Sequence, residues 1–359
     1  MSNYKKVLLI GVTSSDNLGD SLISLLTYRI MKDKGMDVEI ANIETMPFFY
    51  KLLRKFRVPL NYQKIADMEL TQKLRKSNSI IVFAGGQMFF NYFVPYLTRI
   101  KECADKTNTP IIFNSCGFGP LSKDATSELA QILNGKIVKQ ITVRDSLEKA
   151  ISLTKKAFFI PDVAICTNIY YTNSGDVTQK IGLGVIDTDA YNINHPDEKI
   201  TKIQYLEIMF GVVTELSKTN RKIELFTTGI ERDQKMAIGL QEYCMAKGVK
   251  IYVAKRPKNV EQLLKTITSY QSIVSSRLHS LIIAYSYGIP SIGLSWDSKV
   301  DYFFEIIGYK NRFIPIKKAT AKSLSNAIQD LDNGVDSKHK CLLQNQVLNN
   351  IETIKELVR

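Results

Sequence analysis

The chain has 359 residues, 45% of them hydrophobic, enough for one large or two ordinary domains with substantial cores, and two is the expectation. A formal net charge of +13 favours anionic partners, yet no zinc-finger spacing, RNP-type aromatic strand or long Lys/Arg tract is present, which sets nucleic acid aside. Five cysteines without a CxxC pair suit a reducing compartment, no apolar run reaches the roughly 18 residues of a membrane span, and the expected location is the cytoplasm.

Short β-rich apolar runs recur along the chain, each followed by a glycine or polar cluster and then a helical pattern. That rhythm predicts α/β layers with mostly parallel sheets. In the first half the predicted strands are 7–10, 38–40, 80–83, 111–114, 141–143 and 158–160. The first of them runs into GVTSSDNLGDSLISLL, which lacks the G-x-G-x-x-G spacing of a dinucleotide turn. Asn17, Gly19 and Asp20 stand just before the periodic Leu22, Leu25 and Leu26, so this loop is either a helix cap or a ligand-facing turn.

The segment PFFYKLLRKFRV, 47–58, sets Phe49, Leu52, Leu53 and Phe56 on one helical face and Lys51, Arg54, Lys55 and Arg57 on the other. It reads as an ordinary surface helix or as a basic amphipathic helix for an anionic membrane surface. FAGGQMFF follows the third strand, with Gly86 and Gln87 in its turn, and NSCGFGPL follows the fourth. Glycines there permit tight turns or close backbone approach to a ligand. Cys116 has no base beside it in sequence and reads as a packing residue. In ITVRDSLEKAI, Arg144 ends a strand and Asp145 and Glu148 have the spacing of a helix cap, which directs the guanidinium into a cleft or into a surface salt bridge.

TNIYYTNSGDVTQK, polar and turn-rich, is the linker candidate, after which strands are predicted at 181–186, 223–226, 251–253, 273–275 and 291–294. The expected division is 1–168 and 181–318, two doubly wound Rossmann-like domains facing a cleft, with helices in 319–359 crossing back to the first. In SIVSSRLHSLIIAYSYGIPSIGL, Ser276 is a suitable N-cap, and Leu278, Leu281, Ile282 and Tyr285 form an apolar stripe. Arg277 and His279 then occupy a first helical turn, where free backbone amides favour an anion, a guanidinium adds a forked donor, and an imidazole adds a proton source near neutral pH. A structural reading, with the histidine bonded to backbone and the arginine on the surface, stands beside it. Asp297 and Lys299 follow the next strand, and the lysine suits a second anionic group. The three histidines are far apart, so no metal site and no cofactor are expected.

DNLGDSL, the Gly-Gly strand end, SCGFGPL, VRDS, PDVAI and SSRLHSLIIAYSYGIPSIGLSWDSKV, in that order, resemble the polysaccharide pyruvyl transferase family. The resemblance implies a GT-B-like pair of domains, the first on the acceptor side and the second on the donor side. It also implies transfer of the enolpyruvyl part of phosphoenolpyruvate onto two hydroxyls of a sugar, giving a cyclic pyruvate ketal and phosphate. Arg277 and His279 match the family's donor-binding motif, Arg144 its cleft arginine, and Asn17 and Asp20 its first-loop signature. Gln87 stands where a third glycine is common, which bears on the acceptor. On this reading Arg277, Arg144 and Lys299 bind the donor, Asn17, Ser276, Gly86 and Gln87 are further substrate-binding residues, His279 is the acid and Asp20 the acceptor's base. The acceptor would be a cell-surface polysaccharide or its lipid-linked precursor. The competing readings are a GT-B glycosyltransferase with a nucleotide-sugar donor and a non-catalytic anion-binding scaffold.

Overall fold

The computed structural model describes residues 6–13, 15–43, 68, 70–75, 79–172, 176–195, 197–331 and 334–359; the amphipathic segment 47–58 lies outside them. The chain folds as two compact units. The first comprises Met1–Ser14, Ile23–Val163 and Asn345–Arg359, and the second Ser15–Leu22 and Ala164–Gln344. The division therefore differs from the one read along the sequence: 319–344 stay with the second unit, and only the last fifteen residues, 345–359, group with the first.

In the first unit the strands are β1 (Lys6–Gly11), β2 (Val38–Asn42), β3 (Ser79–Phe83), β4 (Gly86–Phe89), β5 (Ile111–Phe118), β6 (Val138–Val143) and β7 (Ala157–Phe159). They form a sheet in the order β2-β1-β3-β5-β6-β7, with β4 paired to β5, and every pairing is parallel. Parallel sheets are covered on both faces, so their central strands are mainly apolar, and all five residues of β3 and all eight of β5 are buried. The connecting helices include α1 (Leu18–Asp33), α2 (Val94–Asp105), α3 (Lys123–Leu133) and α4 (Leu147–Leu153). Strand order reverses between β1 and β3, the place where open α/β sheets leave a crevice for ligands. Gly11 ends β1 there because a Cβ would lie 2.3 Å from the Ser24 hydroxyl.

The second unit repeats the plan with β8 (Lys180–Gly184), β9 (Lys222–Phe226), β10 (Tyr252–Val253), β11 (Ser272–Ser275), β12 (Ser291–Ser295) and β13 (Phe313–Pro315). Their order is β10-β9-β8-β11-β12-β13, again parallel throughout. The helices between and after them are α5 (Thr188–Asn194), α6 (Lys202–Ser217), α7 (Glu231–Ala246), α8 (Val260–Thr268), α9 (Leu278–Ser286), α10 (Ser298–Ile306), α11 (Ala321–Asp330) and α12 (Ser337–Val358). Here the order reverses between β8 and β11, and Gly184 brings the two strand ends together, since a Cβ would lie 2.2 Å from Ser275 Oγ. Each sheet thus has its crevice where a glycine removes a side chain.

Candidate active site

The segment carrying Arg277 and His279 leaves β11 at this second crevice. Every residue of α9 is buried, so the helix is covered on all sides rather than along one stripe, and His279, Ser280 and Ser286 are polar groups within it. Its N-cap is Arg277, with extended backbone and no side-chain cap, and not Ser276 as propensity suggested. Ser276 sits one residue earlier, fully buried, and its hydroxyl has no hydrogen-bond partner among the described residues. Arg277 holds its backbone through the amide bond to Ser275 Oγ at 3.1 Å.

The Arg277 guanidinium uses one of its two edges inside the protein. Nε and Nη2 each donate at 2.8 Å to Asp233, a residue with 0% exposure in the first turn of α7. Asp233 also accepts from the Asp187 amide at 2.9 Å, so the carboxylate is held from two sides. The guanidinium lies over the Trp296 ring at 5.8 Å, and Lys299 Nζ lies over the same ring at 5.1 Å. Trp296 is fixed by its indole N–H donating to Ser276 O at 2.6 Å. Lys299 pairs with Asp297 at 3.0 Å, and Asp297 in turn caps α10 through the Lys299 amide. Asp233 and Trp296 were not anticipated: the aspartate looks in sequence like any acidic residue in a first helical turn, and its partner is 44 positions away.

His279, 7% exposed, stands beside the amino end of α1. Its Nδ1 is 3.7 Å from Asp20 Oδ1, longer than a hydrogen bond and an ion pair only when the imidazole is protonated. Asp20 lies in the first turn of α1 rather than capping it, and its other oxygen accepts from Asn17 Nδ2 at 2.9 Å. Gly19 makes the approach possible, because a Cβ there would lie 2.2 Å from His279 Nδ1. The second unit thus gathers Asn17, Asp20, Ser276, Arg277, His279 and Lys299.

Gly86, Gln87 and Arg144 belong to the first unit. Gly85 and Gly86 have φ of 104° and 84°, which turns the chain from β3 into β4, and Gln87 Nε2 donates to Phe118 O at 3.1 Å. Arg144 is neither on a surface nor beside a capping aspartate. Its side chain is 4% exposed and bonded to Asp162 and Asp145, and α4 starts instead at Ser146 in a left-handed conformation with no side-chain cap. Asp145 also accepts from the Phe118 amide at 2.9 Å, and Gly117 leaves room for the ion cluster, since a Cβ there would lie 2.7 Å from Arg144 Nε. Cys116 is fully buried, and burial pushes its thiol far up, as suits a packing residue. Among the described residues no group of three His, Cys, Asp or Glu could hold a metal ion, and no helix is long and apolar enough to cross a membrane.

The profile of the polysaccharide pyruvyl transferase family matches residues 17–298. Amylovoran biosynthesis protein AmsJ of Erwinia amylovora is 24% identical over 304 residues, which cover 78% of this chain and 68% of that protein. Among solved structures, the UDP-GlcNAc 2-epimerase of Methanocaldococcus jannaschii matches with a TM-score of 0.61 at 13% identity, over 91% of this chain and 92% of that one. A glycosyltransferase from Rickettsia africae matches at 0.54 and 12% identity over 99% of both chains. MnaA of S. aureus with UDP matches at 0.54 and 13% identity, over 96% and 90%. At these identities the likeness is one of fold, and the fold is GT-B-like.

Proposed function

The chain belongs to the polysaccharide pyruvyl transferase family, and from that premise we propose that it transfers the enolpyruvyl group of phosphoenolpyruvate to a sugar of a cell-surface polysaccharide or its lipid-linked precursor. The observation that carries the donor assignment is the amino end of α9: among the described residues no side chain caps it and the buried Ser276 hydroxyl beside it has no hydrogen-bond partner, and Arg277 stands as its N-cap. Phosphoenolpyruvate has a phosphate and a carboxylate on neighbouring atoms. Free helix amides with a guanidinium edge suit one of these groups, and Lys299 suits the other. Arg144, paired with two carboxylates, is assigned to holding the first unit's crevice in shape, and Gly86 and Gln87 to the acceptor.

His279 is the proton donor. Protonation of the methylene carbon leaves positive charge on the neighbouring carbon, which a sugar hydroxyl attacks; phosphate then departs and a second hydroxyl closes the ketal. One hydroxyl proton replaces the one His279 gave, and the other leaves with phosphate. Asp20, beside the ring, stabilises the imidazolium and orients it, a role its position favours over that of the acceptor's base.

Thermal melting tests the donor. Phosphoenolpyruvate at about 100 times its dissociation constant should stabilise the protein by about 2.7 kcal/mol, and UDP- or GDP-sugars should do little. A rise with a nucleotide sugar and none with phosphoenolpyruvate would instead establish the glycosyltransferase reading.

The enzyme is also assigned to the cytoplasmic face of the membrane, held through the basic amphipathic segment 47–58. Each Lys or Arg near an anionic surface contributes about 1 kcal/mol. Co-sedimentation with liposomes should require anionic lipid, weaken with salt and drop when Lys51, Arg54 and Lys55 are changed together to glutamate. Equal recovery of native protein and variant removes the segment from that role.

A further inference from the structure

We propose that Thr228 is a positioning residue that acts on His279 through Asn17 and Asp20; the inference rests on the reading of His279 as proton donor. Thr228 follows β9 at the carboxyl end of the sheet and is 1% exposed. Its hydroxyl donates to Asn17 Oδ1 at 3.3 Å. A carboxylate only accepts, so the amide nitrogen of Asn17 must face Asp20, and Nδ2 donates to Asp20 Oδ2 at 2.9 Å. That bond leaves the other carboxylate oxygen toward His279 Nδ1, 3.7 Å away. The two hydrogen bonds have one polarity from the Thr228 hydroxyl to Asp20, where the carboxylate faces His279 Nδ1 as an acceptor, and both ends of the Asn17 carboxamide are engaged within them. Asn17 is thereby drawn from the substrate-binding role its motif implied into the support of the acid.

The backbone beneath these side chains is fixed independently. The Leu18 amide donates to Thr228 O at 3.0 Å, and Arg256 ties the loop from outside by donating to Gly229 O at 2.6 Å and to Asp16 at 3.1 Å. Gly229, at φ 107°, permits the close approach, since a Cβ would lie 2.6 Å from Asp16 O. Holding a catalytic group in orientation by such supporting bonds affects turnover more than ground-state binding.

Thr228→Val removes the hydroxyl at nearly constant shape, and Thr228→Ser keeps it. With three histidines in the chain, the side-chain nitrogen resonances of His279 are assigned in histidine-labelled protein by comparison with His279→Gln. The valine variant should shift the His279 Nδ1 resonance and the serine variant should restore it. In steady state the valine variant should lose about three- to tenfold in kcat, the effect of one hydrogen bond, with KM for phosphoenolpyruvate unchanged. Asn17→Asp, which sets a second carboxylate against Asp20 at a half-buried position, should give the same pattern even if Thr228→Val folds poorly. Unshifted His279 resonances in both variants, or a raised KM with native kcat, would overturn the proposal. If the resonances respond but native protein shows no turnover of phosphoenolpyruvate, the donor reading fails and the positioning of His279 stands.

Discussion

An arginine offers two hydrogen-bonding edges facing different directions, and Arg277 can serve Asp233 with one and a phosphate or carboxylate with the other. Lysine is a point charge and cannot do both. Arg277→Lys should therefore weaken phosphoenolpyruvate binding by at least about tenfold, measured by calorimetry, because charge-assisted bonds to a fork are worth about 1.5–3 kcal/mol. His279→Gln should behave oppositely. Glutamine keeps a donor of similar reach but no transferable proton, so binding should survive while turnover falls by about 10²- to 10⁴-fold. Near-native turnover of the glutamine variant at saturating donor would remove His279 from the role of acid. The pair of variants separates charge recognition from proton transfer, which adjacent residues on one helical turn otherwise blur.

The strands that apolar runs mark most plainly are those buried on both faces, such as β1 and β3, where a nearly unbroken apolar run is the physical requirement. Two strands escaped that reading for local reasons. In β4 the signal is erased by Gly85 and Gly86, whose positive φ bends the chain off the line of β3 so that it pairs with the far end of β5. In β13 three residues end in Pro315 at the sheet edge, where a missing amide costs no ladder bond. The helix entrances were legible as places and not as geometries. Ser276 and Asp145 have the right propensity to cap, yet Arg277 and Ser146 occupy the N-cap positions. What propensity cannot see is a partner distant in sequence: Asp233 for Arg277, Asp162 for Arg144, and Trp296 O for His195, bonded at 2.5 Å. The motif residues could be named from the sequence, but the acids that orient them are set by tertiary packing.

Helix α12 carries the chain out of the second unit and ends in the first. Within the first unit its last turns bury Val347, Ile351, Ile354 and Val358, each at most 1% exposed. Asn350 sits between them as a polar bridge, accepting from Gln140 Nε2 at 2.6 Å and donating to Asn114 Oδ1 at 2.8 Å. Both partners lie on strands, Gln140 on β6 and Asn114 on β5, so the terminal helix closes the first unit by satisfying groups the sheet cannot satisfy itself. Asn350→Ala would leave a buried donor and a buried acceptor unpaired, at about 1–3 kcal/mol each. The chain supplies separate reporters for the consequence. Cys103 and Cys116 are buried in the first unit, whereas Cys166, Cys244 and Trp296, the sole tryptophan, are in the second, so the first unit is read from the two thiols identified as Cys103 and Cys116. In urea, Asn350→Ala should expose the Cys103 and Cys116 thiols to a disulfide reagent at lower denaturant than in native protein, while the midpoint of Trp296 fluorescence stays where it was. Cys341, exposed already, should react at once in both proteins and serves as the internal count. Equal shifts of the thiol and tryptophan transitions would mean that the two units unfold as one cooperative body, and the terminal helix would then stabilise the chain as a whole rather than the unit it completes.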